Sequence, residues 1–144
     1  MEKKQIAGLV ILIVLIGGYV LYNQLQKTTY QEVLSNVIGK DESIKKVSVV
    51  IDEPLLRKTE SVTIKDQEVI NQLMGLDLKL EKRRIHEGLE KRIDIRTNKG
   101  LHQIYFGYDY VIVGGKTYYK IDPVIIPLYE YIKEHEFDWE MTPK

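Results

Sequence analysis

A run of 17 residues from Ile6 to Tyr22 contains no charged side chain, and no other part of the chain is as apolar. At 1.5 Å per residue a helix of this length spans about 25 Å, and its continuation to Leu25 reaches about 30 Å, the thickness of the hydrocarbon core of a bilayer. Within lipid, a spanning backbone satisfies its hydrogen bonds only as a helix or a closed barrel. The run therefore predicts a helix that crosses the membrane, with the lipid bilayer as the partner of Ile6–Tyr22.

The flanking residues predict how this helix is oriented. Lys3 and Lys4 precede the run together with the terminal amine, whereas only Lys27 follows it closely. Lysine and arginine concentrate on the cytoplasmic side of membrane helices. We therefore expect the N-terminus in the cytoplasm and the residues after the helix outside it. Tyr19 and Tyr22 lie at the outer end of the run, where tyrosine rings favour the membrane interface.

A cleaved signal peptide is the alternative for this segment. Signal peptidases require small residues at the first and third positions before the cut, and the run contains no A-x-A motif. The segment most similar to this motif is Gly18-Tyr19-Val20, but valine is a poor residue for the position next to the cut. An uncleaved signal-anchor is favoured, and cleavage stays open.

The rest of the sequence suits one water-exposed domain. We divide the chain into a membrane anchor over residues 1–27 and an extracytoplasmic domain over residues 28–144. The 21 basic residues balance the 21 acidic residues, which gives no electrostatic signature for nucleic acid. The chain has no cysteine, which excludes disulfides, thiolate metal sites, a thiol nucleophile and a lipid-modified cysteine anchor.

The spacing of apolar residues predicts an α+β domain with a small, mainly antiparallel sheet packed with two or three helices. Helices are expected after Thr29 and Asp66, whose side chains can cap them, and after Asp122 or from Pro127. The densely charged residues 79–92 are expected to form a loop with an irregular helical or extended start. Alternating apolar residues predict strands near 47–51, 62–64, 92–96, 101–106, 108–113 and 116–121.

Gly114-Gly115 predicts a tight hairpin that pairs Tyr110 with Tyr119. Tyr118 then lies on the other hairpin face and is a candidate aromatic contact for a ligand, with cross-strand packing as the alternative role. The hairpin face expected to point to the core holds Tyr108, Tyr110, Ile112, Thr117, Tyr119 and Ile121.

Motifs for catalysis or cofactor binding are lacking in the sequence. His86, His102 and His135 are at least 16 residues apart, and no serine lies in a G-x-S-x-G motif. His102 is expected on the polar face of its strand. We predict a protein that is not an enzyme and holds no metal or cofactor. A small hydrolase built from converging carboxylates stays open as an alternative.

One stretch of the sequence is strongly basic. The residues from Lys79 to Lys99 include eight basic and four acidic side chains. Such a cluster can hold an anionic partner, for example lipid headgroups, an envelope polymer or an acidic protein surface. A loop that only improves solubility is the alternative. The candidate anion-binding or partner-binding residues are Arg83, Arg84, Arg92 and Arg96.

A family resemblance is carried by four segments of the sequence. In chain order they are V-T-I-K-D-Q-E-V-I-N-Q-L, R-I-D-I-R-T-N-K-G, Y-V-I-V-G-G-K-T-Y-Y-K-I-D and L-Y-E-Y-I. The region Ser61–Lys133 resembles small membrane-anchored or lipoprotein envelope domains of unknown function from Gram-positive bacteria. The shared motifs are structural, so the resemblance implies a Gram-positive cell envelope and leaves the activity open. The chain differs from the lipoprotein members because it lacks their lipid-modified cysteine, and the apolar run would replace that anchor.

Together these patterns predict a single-pass protein of the cell membrane whose small outer domain binds or senses a ligand without catalysis. The alternative is an accessory or immunity-type subunit of a larger membrane protein assembly, in which another chain would cover exposed apolar surface.

Overall fold

The chain forms a long N-terminal helix followed by a domain of strands and short helices. The computed structural model describes residues 3–83, 91–107, 109–120, 131–132 and 134–143. In chain order the elements are α1 (Lys3–Leu25), β1 (Lys27–Thr29), α2 (Tyr30–Ser35), β2 (Ile44–Glu53), a 3-10 turn (Pro54–Leu56), β3 (Lys58–Ile64), α3 (Gln67–Met74), β4 (Lys79–Arg83), β5 (Lys91–Thr97), β6 (Leu101–Phe106), β7 (Tyr110–Val113), β8 (Lys116–Lys120) and β9 (Glu140–Pro143).

The described strands make one antiparallel sheet in the order β1-β4-β8-β7-β6-β5-β2-β3-β9. The α+β class is confirmed, but the prediction of a small sheet is wrong, because the sheet has nine strands. Residues 79–83 form a regular strand between β1 and β8, so the extended of the two starts expected for the charged residues 79–92 is the one observed. Only Leu80 of that strand is buried, so the sequence carries a weak strand signal.

The caps predicted for two helices are confirmed. At α2 the Thr29 hydroxyl accepts from the backbone N–H of Glu32, and the Glu32 carboxylate accepts from the backbone N–H of Thr29. At α3 the Asp66 carboxylate accepts from the backbone N–H groups of Glu68 and Val69. These bonds satisfy donors that the first turn of a helix leaves unpaired.

The hydrophobic core lies on one face of the sheet, under α2 and α3. Alternation along the strands sends every second side chain to this face. The helices contribute Tyr30, Val33 and Leu34 from α2 and Ile70 and Leu73 from α3. The buried apolar strand residues are Val47, Val49, Val62, Ile64, Leu80, Ile93, Ile95, Ile104, Phe106, Val111 and Val113.

The β7–β8 hairpin has the predicted register but the opposite orientation. Tyr110 lies opposite Tyr119, as expected from the Gly114-Gly115 turn. Val111 and Val113 are buried, however, because they lie opposite Phe106 and Ile104 on the core face of β6. The face of Tyr110 and Ile112 therefore points away from the core. In sequence the face of Tyr110 and Ile112 is the more apolar, because the other set includes Asp109, Lys116 and Lys120, so alternation alone selected the wrong face.

The C-terminal part returns to the domain. Ile132 is buried, and Phe137 and Trp139 pack against the core. The helix predicted from Asp122 or Pro127 falls largely outside the described residues. Strand β9 at the end of the chain pairs with β3 and was not predicted.

Candidate functional site

The sheet has a second face, opposite the core, which we call the open face. Lys46 and Ser48 of β2 alternate with the buried Val47 and Val49, so their side chains lie on the open face. The same alternation places Arg92, Asp94 and Arg96 of β5 there. An antiparallel sheet with one solvated face presents side chains at fixed spacing to a partner.

Arg92 on the open face is held by a carboxylate of its own strand. Its Nε lies 3.2 and 3.3 Å from the two carboxylate oxygens of Asp94. The Gln103 amide on β6 also donates to Asp94, at 3.1 Å. Asp94 therefore offsets the charge of Arg92, and both side chains are partly buried, with 34% and 18% of their surface exposed.

Arg96 has a different environment. It lies directly opposite Lys46 on the neighbouring strand, and both side chains are on the open face. Directly opposed residues have Cβ atoms about 5 Å apart, so the two cations are neighbours. Within the described part of the chain, neither side chain forms an ion pair with a carboxylate. We call Lys46 and Arg96 the cationic pair.

The structure does not bring Arg83 to the other candidate arginines. Arg83 lies in one continuous register row with Thr117, Ile112, Tyr105 and Arg92. Four strand spacings separate the two ends of this row, which is about 19 Å. The Arg83 guanidinium lies 3.6 Å from Glu81 on the same strand. Arg84 lies outside the described residues.

Along β5, Arg92 and Arg96 are also well separated. They share a face but lie four residues apart, about 13 Å along the strand. Arg96 was predictable from the basic stretch of the sequence, whereas Lys46 was not, because Lys46 is distant in sequence and becomes its neighbour only through the pairing of β2 with β5.

Tyr118, the predicted aromatic contact, lies on the core face of the hairpin. It lies opposite Val111 and packs partly buried against the core. Burial raises the pKa of its hydroxyl. Its ring therefore contributes to packing, and the ligand contact of Tyr118 stays a prediction.

A cluster of hydrogen bonds around the largely buried Glu42 carboxylate lies where the β5–β6 turn meets the loop before β2. The Glu42 carboxylate accepts from the Thr97 hydroxyl at 2.6 Å and from the Gly39 backbone N–H at 3.0 Å, and lies 2.8 Å from Nε2 of His102. Only 11% of the Glu42 side chain and 20% of the His102 side chain are exposed. These bonds, that from Thr97 first, lower the pKa of Glu42 to about 2.

This cluster fastens the loop before β2 to the β5–β6 turn. The Thr97 hydroxyl donates to Glu42 and accepts from the backbone N–H groups of Lys99 and Gly100. Ser43 and Asn98 add two hydrogen bonds between the loop and the turn. His102 lies opposite the buried Ile95, so its predicted place on the polar face is wrong.

A shallow groove of about 400 Å³ lies between α2 and α3. The Gln31 amide donates to the Gly75 carbonyl at 2.9 Å and connects the two helices. The groove is mainly apolar, and none of the lining side chains that the structure describes is titratable. The lining residues are Gln31, Leu34, Ser35, Ile38, Ile44, Asn71, Met74 and Gly75.

Comparison with known proteins adds no assignment, since no protein-family model, no curated protein and no solved structure matches this chain. Among the residues that the structure describes, no group of three or more histidine and carboxylate side chains is placed to hold a metal ion. The candidate site is therefore the open face, with the cationic pair as its most distinctive feature.

Proposed function

We propose that this chain is a single-pass membrane protein whose C-terminal domain lies outside the cytoplasm and binds an anionic partner without catalysis. The helix α1 carries the first part of this proposal. It is long and apolar enough to cross a membrane, and none of its described residues is buried by the domain. Leu15 and Leu21, for example, are 64% and 63% exposed, a costly arrangement in water that a bilayer removes.

The cationic pair supports the anionic partner. Like charges directly opposite each other on paired strands destabilise a sheet. A bound phosphate, sulfate or carboxylate group would contact Lys46 and Arg96 together and offset this repulsion, because arginine and lysine are the usual ligands of such groups. An envelope polymer or an acidic protein surface supplies such groups in repeated form.

An accessory or immunity-type subunit of a membrane assembly is the second candidate. The β2–β3 turn favours it, because Leu55 is 99% and Leu56 is 64% exposed. Exposed apolar residues of this kind mark surfaces that another chain can cover. Affinity purification of the full chain in mild detergent separates the candidates. A membrane protein recovered in stoichiometric amount supports the subunit, and its absence supports the single-pass binding protein.

The location of the domain is tested by cysteine labelling, since the chain has no cysteine of its own. Leu55→Cys places a thiol on the exposed turn, and Gln5→Cys places one near the other end of α1. In intact cells without their wall, an impermeant maleimide is expected to label Leu55→Cys and to leave Gln5→Cys unlabelled until the cells are permeabilised. The reverse pattern would place the domain in the cytoplasm and overturn the proposed location.

Anion binding is tested on phosphocellulose with the full chain in detergent. Arg96→Gln and Lys46→Gln each remove one cation from the cationic pair, and both variants are expected to elute at lower salt than the wild-type chain. Lys79→Gln is the matched control, because Lys79 is exposed on the same face four strands away from Arg96. Equal shifts in all three variants would mean that only net charge matters and would reject the cationic pair as a site.

A further inference from the structure

We infer that the domain rests against the bilayer at one corner of its sheet, where Lys27, Lys82 and Lys116 contact the phosphates of anionic lipid headgroups. The inference depends on the proposed membrane anchor and goes beyond it, since an anchor alone does not fix how a domain faces the membrane. We call these three lysines the corner cluster. They are separate from the cationic pair, which lies on β2 and β5.

The connection between the membrane helix and the sheet is short and hydrogen-bonded. Only Gln26 lies between the end of α1 at Leu25 and the start of β1 at Lys27. Its backbone N–H donates to the carbonyl of Asn23, and its own carbonyl accepts from the backbone N–H of Lys82 at 2.9 Å. The β1–β4 edge is therefore fixed to the end of α1 with no flexible linker that would let the domain move away from the membrane.

Strand register gathers the corner cluster beside this connection. Lys27 lies opposite Glu81 on β4, and Lys82 is the next residue along that strand. Lys82 lies opposite Tyr118 on β8, with Lys116 two residues farther along. Neighbouring strands are about 4.8 Å apart and residues rise about 3.4 Å, so the Cα atoms of successive members lie roughly 6 to 8 Å apart. Their side chains flank this edge on both faces of the sheet: Lys82 and Lys116 lie on the core face with Tyr118, and Lys27 lies on the open face with Glu81.

The charge of the cluster is available to a membrane. All three lysines are exposed, and none forms an ion pair within the described residues. Glu81 is the nearest acidic residue on these strands, and its carboxylate lies 3.6 Å from Arg83. Among the residues that the structure describes, the corner therefore carries more basic than acidic side chains where the chain leaves α1.

The reach of the lysines suits lipid phosphates. Tyr22, at the end of the apolar run, favours the interface between hydrocarbon and headgroups. Gln26 follows it by four residues, about 6 Å along a helix axis. Lys82 is hydrogen-bonded to Gln26, so its flexible stem can extend its ammonium group into the headgroup layer. Anionic lipids attract basic residues held this close to the surface.

The test uses the full chain in nanodiscs of phosphatidylcholine alone or of equal parts phosphatidylcholine and phosphatidylglycerol. A water-soluble ester acylates the lysines, and mass spectrometry gives the rate for each one. Lys45 and Lys65 are internal controls, since both are exposed and lie at β2 and just after β3, six or seven strands from β1. We expect acylation of the corner cluster, relative to the controls, to slow about threefold or more in anionic nanodiscs and to recover in high salt.

A pair of charge-matched variants extends the test. Lys82→Gln/Lys116→Gln is expected to abolish the protection of Lys27 by anionic lipid, whereas Lys45→Gln/Lys65→Gln is expected to retain it. Inorganic phosphate added to phosphatidylcholine nanodiscs is expected to give no protection. Protection by phosphate alone would indicate a site for a free anion and would overturn the lipid contact.

The two proposals fail in different ways. If the chain elutes with the nanodiscs but the corner cluster reacts equally in both lipid compositions, the headgroup contact is wrong and the membrane anchor stands. If the chain does not elute with nanodiscs of either composition, the membrane anchor itself is wrong, and the inference is overturned with it.

Discussion

Lys46 and Arg96 lie directly opposite each other on β2 and β5, with both side chains on the open face of the sheet. The nearest carboxylate on β5 is that of Asp94, which bonds to Arg92 and Gln103. The two cations are thus neighbours without an offsetting charge among the described residues. Retaining such a pair lowers stability, which is the pattern expected where a charge serves binding.

Arg96→Gln is therefore expected to stabilise the domain. Removing one of two opposed like charges should raise the free energy of unfolding by about 0.2 to 1 kcal/mol. Urea denaturation of the full chain in mild detergent measures this change, with Lys79→Gln as a control that should change little. A clear loss of stability in Arg96→Gln would show that the arginine has a structural role and would count against the cationic pair.

Glu42→Gln is expected to lower the melting temperature at neutral pH, because Thr97, His102 and Gly39 all hydrogen-bond to the ionised carboxylate. The pKa of Glu42 is about 2 in the folded domain and 4.5 in an unperturbed group. The stabilisation is therefore complete above the higher pKa and is lost as the pH falls toward the lower one.

Melting curves of both proteins between pH 7 and about pH 2 test this linkage. The gap between wild type and Glu42→Gln should be largest near neutrality and should close in acid. Glu134→Gln, which alters an exposed carboxylate, is the control. A gap that stays constant with pH would mean that the charge of Glu42 does not stabilise the cluster.

Tyr30→Phe is expected to stabilise the domain by about 1 kcal/mol, because a buried hydroxyl without a partner costs free energy. Tyr30 is fully buried at the start of α2, its hydroxyl has no hydrogen bond within the described residues, and burial raises its pKa. Tyr131→Phe should show no such gain, since that hydroxyl donates to Gln72 at 3.0 Å. Chemical denaturation compares the two, and a loss of stability in Tyr30→Phe would contradict the prediction.

Gly107→Ala is expected to destabilise the domain by about 1 to 3 kcal/mol through overpacking. A Cβ at Gly107 would run into the ring of Tyr110, which packs on the glycine backbone, and the Gly107 N–H donates to the Tyr110 carbonyl. Gly100→Ala is the control, as a Cβ there meets nothing within 4 Å. Thermal unfolding of both variants measures the difference, and equal effects would argue against the close approach.

Local chemistry made part of the fold predictable. The capping side chains of Thr29 and Asp66 act within three residues, so the starts of α2 and α3 could be inferred from sequence. The end of α2 could not be inferred in the same way. Val37 and Ile38 continue the apolar spacing and pack against the core, yet the helix stops at Ser35. A turn buries these two side chains as well as a helix would, so the apolar spacing does not show where the helix ends.

Features that depend on distant pairing were missed. Strand β4 is strongly charged, and its place is fixed by β1 and β8 on either side. The orientation of the β7–β8 hairpin follows from Phe106 and Ile104 on β6, which select Val111 and Val113 for the core. The same limit applies to the candidate site, because Lys46 and Arg96 are separated by 50 positions of sequence and meet only in the sheet.

Extraction of membranes with alkaline carbonate tests the central claim most directly, because it removes peripheral proteins and leaves spanning helices in the bilayer. We predict that the full chain stays in the membrane pellet. Leu12→Asp/Leu15→Asp should move into the supernatant, since each charge at the centre of a membrane helix costs about 2.5 to 3.5 kcal/mol. Leu12→Ala/Leu15→Ala should stay in the pellet. Recovery of the wild-type chain in the supernatant would contradict the account.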